Sequence, residues 1–305
     1  MKAILKSDFQ GILGTEIFDS GVDGPTVGLI TQIHGNEYSG GQAVQDIRLI
    51  FEGSLRRGRV IVVTGNLDAA AAGRRFIDED LNRVWTEEGL KGESKEASRA
   101  RDLRKVFDAI NVALDLHSVT STPDAPSFGI VTGGTQNQLA LANALDVPHH
   151  VCFEASTGPT ACVSDYFLRS EKSCIALELG YESQVDFELA RSNVLRFLAA
   201  TEVIKPFDSP KKNTGQWWRL GQKEWIADLT SFQYDPNFVR QGFAPVQRGQ
   251  VIAKDKIKDY LAESDGVLLF SKRIEDYQTG AVNIQEPFVY LAVPMELSET
   301  PLTKC

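Results

Sequence analysis

The chain has no CxxC cysteine pair, no apolar run long enough to cross a bilayer and no excess of positive charge. Its four cysteines, Cys152, Cys162, Cys174 and Cys305, are too scattered for a zinc ribbon or a redox pair. They read as reduced thiols, which points to the cytoplasm. A transmembrane helix needs about 18 consecutive apolar residues, and a secretory signal needs a longer apolar core than MKAILKSDFQGILG provides. The net charge of -9 argues against general binding of nucleic acid. Neither a membrane nor a nucleic-acid partner is therefore expected, and the sequence shows no internal repeat or low-complexity segment.

The 305 residues, 42% hydrophobic and 24% charged, describe an ordinary globular protein large enough for two domains. The first two thirds alternate between short strand-like runs and helix-like stretches. TVGLITQI, GRVIVVTGN, NVALDLHS, PSFGIVTGG and SCIALELGY read as strands. Residues 37–51, with Val44, Ile47 and Ile50 at helical spacing, read as a helix. So do KEASRARDLRKVFDAI and VDFELARSNVLRFLAATEVI. Such alternation predicts an α/β domain with a largely parallel sheet covered on both faces. Residues 67–92 lack an apolar period and read as a long loop. Near Pro206 the segment KPFDSPKKNTG reads as a linker. It divides a domain over residues 1–205 from a smaller all-β domain over 206–305, built from runs such as GQVIA, GVLLFSKR and EPFVYLAV.

Open α/β sheets bind ligands beyond the carboxyl ends of their strands. TQIHGNEYSGG follows such an end, and Gly35 would permit a tight turn that aims His34 and Glu37 at one point. Imidazole and carboxylate are both zinc ligands. The plain alternative is a loop histidine and a helix-start glutamate favoured by the helix dipole. ALDLHS places His117 at the end of another strand, with Asp115 on the same face as a hydrogen-bond partner for a ligand imidazole. His34, Glu37 and His117 together suit an open catalytic zinc site, with water as fourth ligand. His149 and His150 read as structural or surface residues. GRRFIDEDLNRVW contributes Arg74, Arg75 and Arg83, suited to carboxylates. Asp78, Glu79 and Asp80 could instead neutralise them. Glu178 is a lone charge in a strand of buried character. It reads either as half of a core salt bridge or as a general base with a raised pKa.

HGNE, GRRFIDEDLNRVW, DLHS and ALELG, in that order, resemble the succinylglutamate desuccinylase/aspartoacylase family, which is related to the zinc carboxypeptidases. The resemblance covers roughly residues 25–205 and implies an α/β/α zinc-peptidase-like domain with a C-terminal β domain. It implies one zinc ion held by His34, Glu37 and His117, with Glu178 as the catalytic glutamate. Arg75 is matched to the arginine that polarises the scissile carbonyl, Asn82 and Arg83 to the pair that holds the substrate carboxylate. Asp80 orients this loop in that scheme. Arg169, offset by one residue in its spacing to Glu178, is matched to a second carboxylate-binding arginine. Tyr290 stands in the β domain, from which some relatives supply a substrate-contacting tyrosine. YESQVDFE, after ELG, departs from the desuccinylase-like continuation and leaves the acyl group open. RGQVIA and SDGVLLF look like half-repeats of biotinyl or lipoyl folds, but no lysine occupies the carrier turn, so no carrier role is expected. The implied activity is zinc-dependent hydrolysis of an N-acylated amino acid or similar small amide, a small-molecule partner. The rival readings are a zinc carboxypeptidase acting on peptides and a non-catalytic ligand-binding relative. A homo-oligomer is compatible with the sequence.

Overall fold

The computed structural model describes residues 9, 11–153, 161–207, 209–213 and 215–297. In chain order β1 (Thr15–Asp19) and β2 (Thr26–Thr31) lead to α1 (Ser39–Ser54), β3 (Arg59–Thr64) and a short α2 (Leu67–Ala71). Then come α3 (Lys95–Phe107), β4 (Val112–Val119), β5 (Phe128–Thr132), α4 (Gln136–Ala144) and β6 (His149–Phe153). They are followed by α5 (Val163–Arg169), β7 (Ser173–Tyr181) and α6 (Phe187–Ala200). The remainder supplies β8 (Gln216–Glu224), β9 (Gln233–Tyr234), β10 (Ala244–Val246), β11 (Val251–Lys254) and β12 (Asp259–Leu261). It ends with β13 (Gly266–Leu269), a short α7 (Ile274–Gln278) and β14 (Val289–Pro294).

Eleven strands form one mixed sheet in the order β1-β3-β2-β4-β7-β5-β6-β8-β14-β13-β10, and β12-β11-β9 form a second sheet. The centre, β3-β2-β4-β7, is parallel; β5 then runs antiparallel to β7. The α/β class with a large mixed sheet and antiparallel C-terminal strands agrees with the sequence reading. β8 pairs in parallel with β6, so the strands after residue 206 continue the large sheet. Residues 67–92 depart from the unstructured loop that the sequence suggests. They contain α2 and single 3-10 turns at Leu81–Arg83 and Gly89–Lys91.

Strand side chains alternate between faces, and this divides the core. Leu29, Leu114, Leu116, Ile175 and Leu177 pack beneath α1 and α6, against Val44, Ile47, Val194 and Phe197. The intervening Ile30, Ala113 and Cys174 join the opposite cluster with Leu103, Val106, Phe107 and Trp85. The same alternation puts Asp115 and His117 on the face of Ala113, and Glu178 on the face of Cys174. Cys162 and Cys174 are free and buried. Cys152 is disulfide-bonded, which corrects the expectation of four reduced thiols; Cys305 lies outside the described residues. His150 is buried and stacked on Trp217, with centroids 4.6 Å apart; burial lowers its pKa to about 4. His149 stacks on Phe243. Among the described residues no helix is long and apolar enough to cross a membrane.

Leu116 is fully buried, and a Cβ added at Gly40 of α1 would sit only 2.8 Å from its Cβ. Leu116→Ala keeps that Cβ against α1 and removes the buried branch beyond it, leaving a cavity in the cluster beneath α1 and α6. A loss of about 2–5 kcal/mol in unfolding free energy is expected from urea titration. A loss below about 1 kcal/mol would show that α1 collapses onto the space.

Candidate active site

The site lies at the carboxyl ends of β2, β4 and β7. After β2 the chain turns with Gln32 at φ 51°, and the Glu37 amide donates to the His34 carbonyl at 3.1 Å. Gly35 is required for a reason other than the expected turn. A Cβ there would lie 2.2 Å from backbone atoms of Ala69 and Ala70, so only glycine lets this turn approach α2. Glu37 precedes α1, whose first turn contains no acidic residue. Its carboxylate instead faces two imidazoles. His34 Nδ1 is 2.8 Å from Oε1 and His117 Nδ1 is 2.9 Å from Oε2. The outer nitrogens are also paired: His34 Nε2 with Asp80 Oδ1 and His117 Nε2 with Asp115 Oδ2, each at 3.1 Å.

This donor set fits a zinc ion. The ligand atoms of the three residues lie within 4.8 Å of one another, and all three residues are buried. Carboxylates on both Nε2 atoms favour protonation there, which leaves the Nδ1 lone pairs directed inward. Burial by itself would raise the Glu37 carboxyl, but the facing imidazoles hold it below the usual range. Burial opposes charge on His117, and Asp115 and Glu37 outweigh it, holding that imidazole well above its ordinary pKa.

Register brings in the fourth group. His117 of β4 is the cross-strand neighbour of Glu178 on β7. Glu178 has no ion-pair partner among the described residues, which removes the core salt-bridge alternative. Burial pushes its carboxyl up to about 7.

The loop after α2 surrounds these residues. Arg75 donates from one terminal nitrogen to Glu37 at 3.2 Å and from the other to Asp80 at 3.0 Å, while its buried Nε has no partner among the described residues. Asp80 also accepts from the Asn82 amide at 2.7 Å, which caps the turn at Leu81–Arg83. Asn82 Oδ1 accepts from the Val163 amide at 2.9 Å, and its Nδ2 makes no hydrogen bond among the described residues. Arg83 donates to the Asn82 carbonyl at 2.9 Å and pairs with Glu286 at 3.4 Å. Asp78 and Glu79 do not neutralise these arginines. They accept from the Lys95 amide and from Ser94, and Arg74 is exposed.

Arg169 is not brought into the pocket. It is the last residue of α5, where it pairs with Asp165 at 3.1 Å and with the Trp85 carbonyl. Cys162 and Ser164, at the other end of that helix, do line the pocket. A rise of about 1.5 Å per residue carries Arg169 away from it. Tyr290, on β14, lines the pocket. Lys272 and Glu286 do too, joined at 2.6 Å, and sequence reasoning missed both, since nothing in their neighbourhood patterns as a motif.

Glu96 was also missed. It is fully buried in the first turn of α3 and accepts from Asn66 Nδ2 and from the amides of Ile77, Asp78 and Glu79, at 2.7 to 3.3 Å. In sequence it is only an acid near a helix start.

Residues 23–201 match the family described as the succinylglutamate desuccinylase/aspartoacylase catalytic domain. The chain belongs to that family. Members are named for hydrolases that act on acylated amino acids. The succinylglutamate desuccinylase of Shewanella amazonensis is 26% identical over 268 residues, covering 78% of this chain and 75% of its own. A probable aspartoacylase of Parasynechococcus marenigrum is 34% identical over 163 residues, or 48% of this chain and 50% of its own. The succinylglutamate desuccinylase structure from Vibrio cholerae superposes with a TM-score of 0.75 at 17% identity, over 94% of this chain and 88% of that one. At that identity the superposition speaks for the shared fold.

In this family member, Glu96→Ala would leave three loop amides without their acceptor. Each buried unsatisfied group costs about 1–3 kcal/mol. Hydrogen exchange should accelerate at residues 77–79 well beyond the change seen in β2 and β4. Unchanged protection at those amides would mean that the loop is held by other contacts.

Proposed function

We propose that this protein is a zinc-dependent deacylase that hydrolyses the amide bond of an N-acylated amino acid. The observation that carries the reading is the placement of Glu178 beside His117, in register on the next strand and lining the same pocket as His34 and His117 of the metal-ligand cluster. The pocket is small, about 120 Å³, which suits one amide and its immediate substituents.

His34 and His117 would hold zinc through Nδ1 and Glu37 through its carboxylate. When bound, zinc supplies Lewis acidity, making water nucleophilic near neutral pH and polarising a carbonyl oxygen. Glu178 takes the proton of the attacking water and delivers it to the leaving nitrogen as the carbon–nitrogen bond breaks. Its raised pKa suits a group that must both accept and return a proton. Arg75, with an unpartnered Nε, steadies the negative charge that develops on the carbonyl oxygen. Asn82 Nδ2 and Arg83 bind the substrate carboxylate and so fix the amide. Asp80 and Asp115 hold the two imidazoles in the tautomer that the metal needs. The division at residue 206 is proposed as a functional one. The first part supplies the metal ligands and the base, and the second supplies Lys272, Glu286 and Tyr290 to the pocket wall.

Purified protein should carry one zinc ion per chain, and His117→Ala should lose it, as measured by elemental analysis. Unchanged metal content in that variant would refute the ligand set. Glu178→Gln should retain zinc and melt at or above the temperature of the unaltered protein, since an uncharged amide avoids the cost of burying a carboxylate. Its kcat should fall by about 10²–10⁴-fold or more, the usual worth of general acid–base catalysis. A stable, zinc-loaded and fully active Glu178→Gln protein would remove Glu178 from the chemistry.

A further inference from the structure

Charge in the pocket beyond the metal cluster is nearly balanced by the protein itself. Arg75 is already engaged by Glu37 and Asp80. Arg83 and Lys272 are the remaining cations, and both are directed at one atom, Glu286 Oε2, at 3.4 and 2.6 Å. Lys272 and Glu286 are largely buried, so this pairing is weakly screened. Two cations around one carboxylate leave a surplus of one positive charge, enough to bind a single substrate carboxylate. The wall made by Ile130, Phe153, Ala176 and Phe270 has no charge to offer a second one. A larger cleft of about 520 Å³ adjoins the pocket and shares Arg83, Glu286 and Tyr290 with it. Its charged lining sets Arg83 and Lys223 against four carboxylates, those of Asp78, Glu79, Asp80 and Glu286. A second acidic group that reached outward would meet repulsion there.

We propose that this site selects N-acyl amino acids bearing one carboxylate and an otherwise uncharged structure, and that Glu286 sets this selectivity by occupying the cations a second carboxylate would need. The inference rests on the deacylase reading. An unpaired carboxylate against the apolar wall is costly, and Glu286 adds a direct like-charge penalty.

The test compares N-acetyl-L-leucine and N-acetyl-L-methionine with N-acetyl-L-aspartate and N-succinyl-L-glutamate on the zinc-loaded full chain. The first pair should be favoured in kcat/KM by about tenfold or more. Glu286→Gln frees a cation and should move the ratio toward the dicarboxylates by a similar factor. Lys272→Met removes the surplus charge and should raise KM for the monocarboxylates. Calorimetric binding of the same four compounds to metal-free protein should follow the same order. Preference of the unaltered protein for the dicarboxylates, or a ratio unmoved in Glu286→Gln, overturns the proposal. Binding in the expected order without hydrolysis overturns the deacylase reading and keeps the selectivity. Absence of binding by either class overturns both.

Discussion

A single buried carboxylate, that of Glu37, is shared between the Nδ1 atoms of two histidines that arrive from different strands. Much of the site can be understood as what is needed to keep that arrangement. Three polar side chains at the ends of β2 and β4 converge where water is largely excluded, and in such a place an uncompensated charge is expensive. Asp80 and Asp115 therefore back the imidazoles, and Arg75 backs both Glu37 and Asp80. The Ser118 amide gives Glu37 a further donor at 3.3 Å. Glu182 then ties β4 to the start of α1 by accepting from Ser118 and from the amide and hydroxyl of Ser39. The cluster is thus braced from both adjoining elements, as a preorganised site requires.

The same logic extends to the loop between α2 and α3. Arg75 and Arg83 of this loop line the pocket, while the amides of residues 77–79 are collected by Glu96, a carboxylate on the rigid first turn of α3. A charged acceptor holding several amides is stronger than a set of neutral contacts, so an irregular segment can present Arg75, Asn82 and Arg83 with little freedom. The remaining wall comes from far along the chain. Because β8 joins the edge of the sheet at β6, the segment that follows it returns Lys272, Glu286 and Tyr290 to the mouth of the site. Two separate stretches of sequence thus line one pocket.

Local sequence determined the elements that set the site. Largely apolar runs at residues 26–31, 59–64, 112–119 and 173–181 form the parallel centre, because strands buried on both faces need near-continuous apolar character. The two-residue alternation within NVALDLHS put Asp115 and His117 on one face. His34 and Glu37 were legible from their place after a strand end, and Asp80, Asn82 and Arg83 from the resemblance of their motif to the family. Tertiary structure alone decided the rest. Register between β4 and β7 made neighbours of His117 and Glu178, and register depends on how two distant strands pack. It turned Gly35 from a turn residue into a contact with α2, and it carried Arg169 out of the pocket along α5. It also enclosed Glu96, Lys272 and Glu286 as buried charges. In sequence these three are unremarkable surface-type residues, since a charge reveals its role only through the partner that folding places beside it.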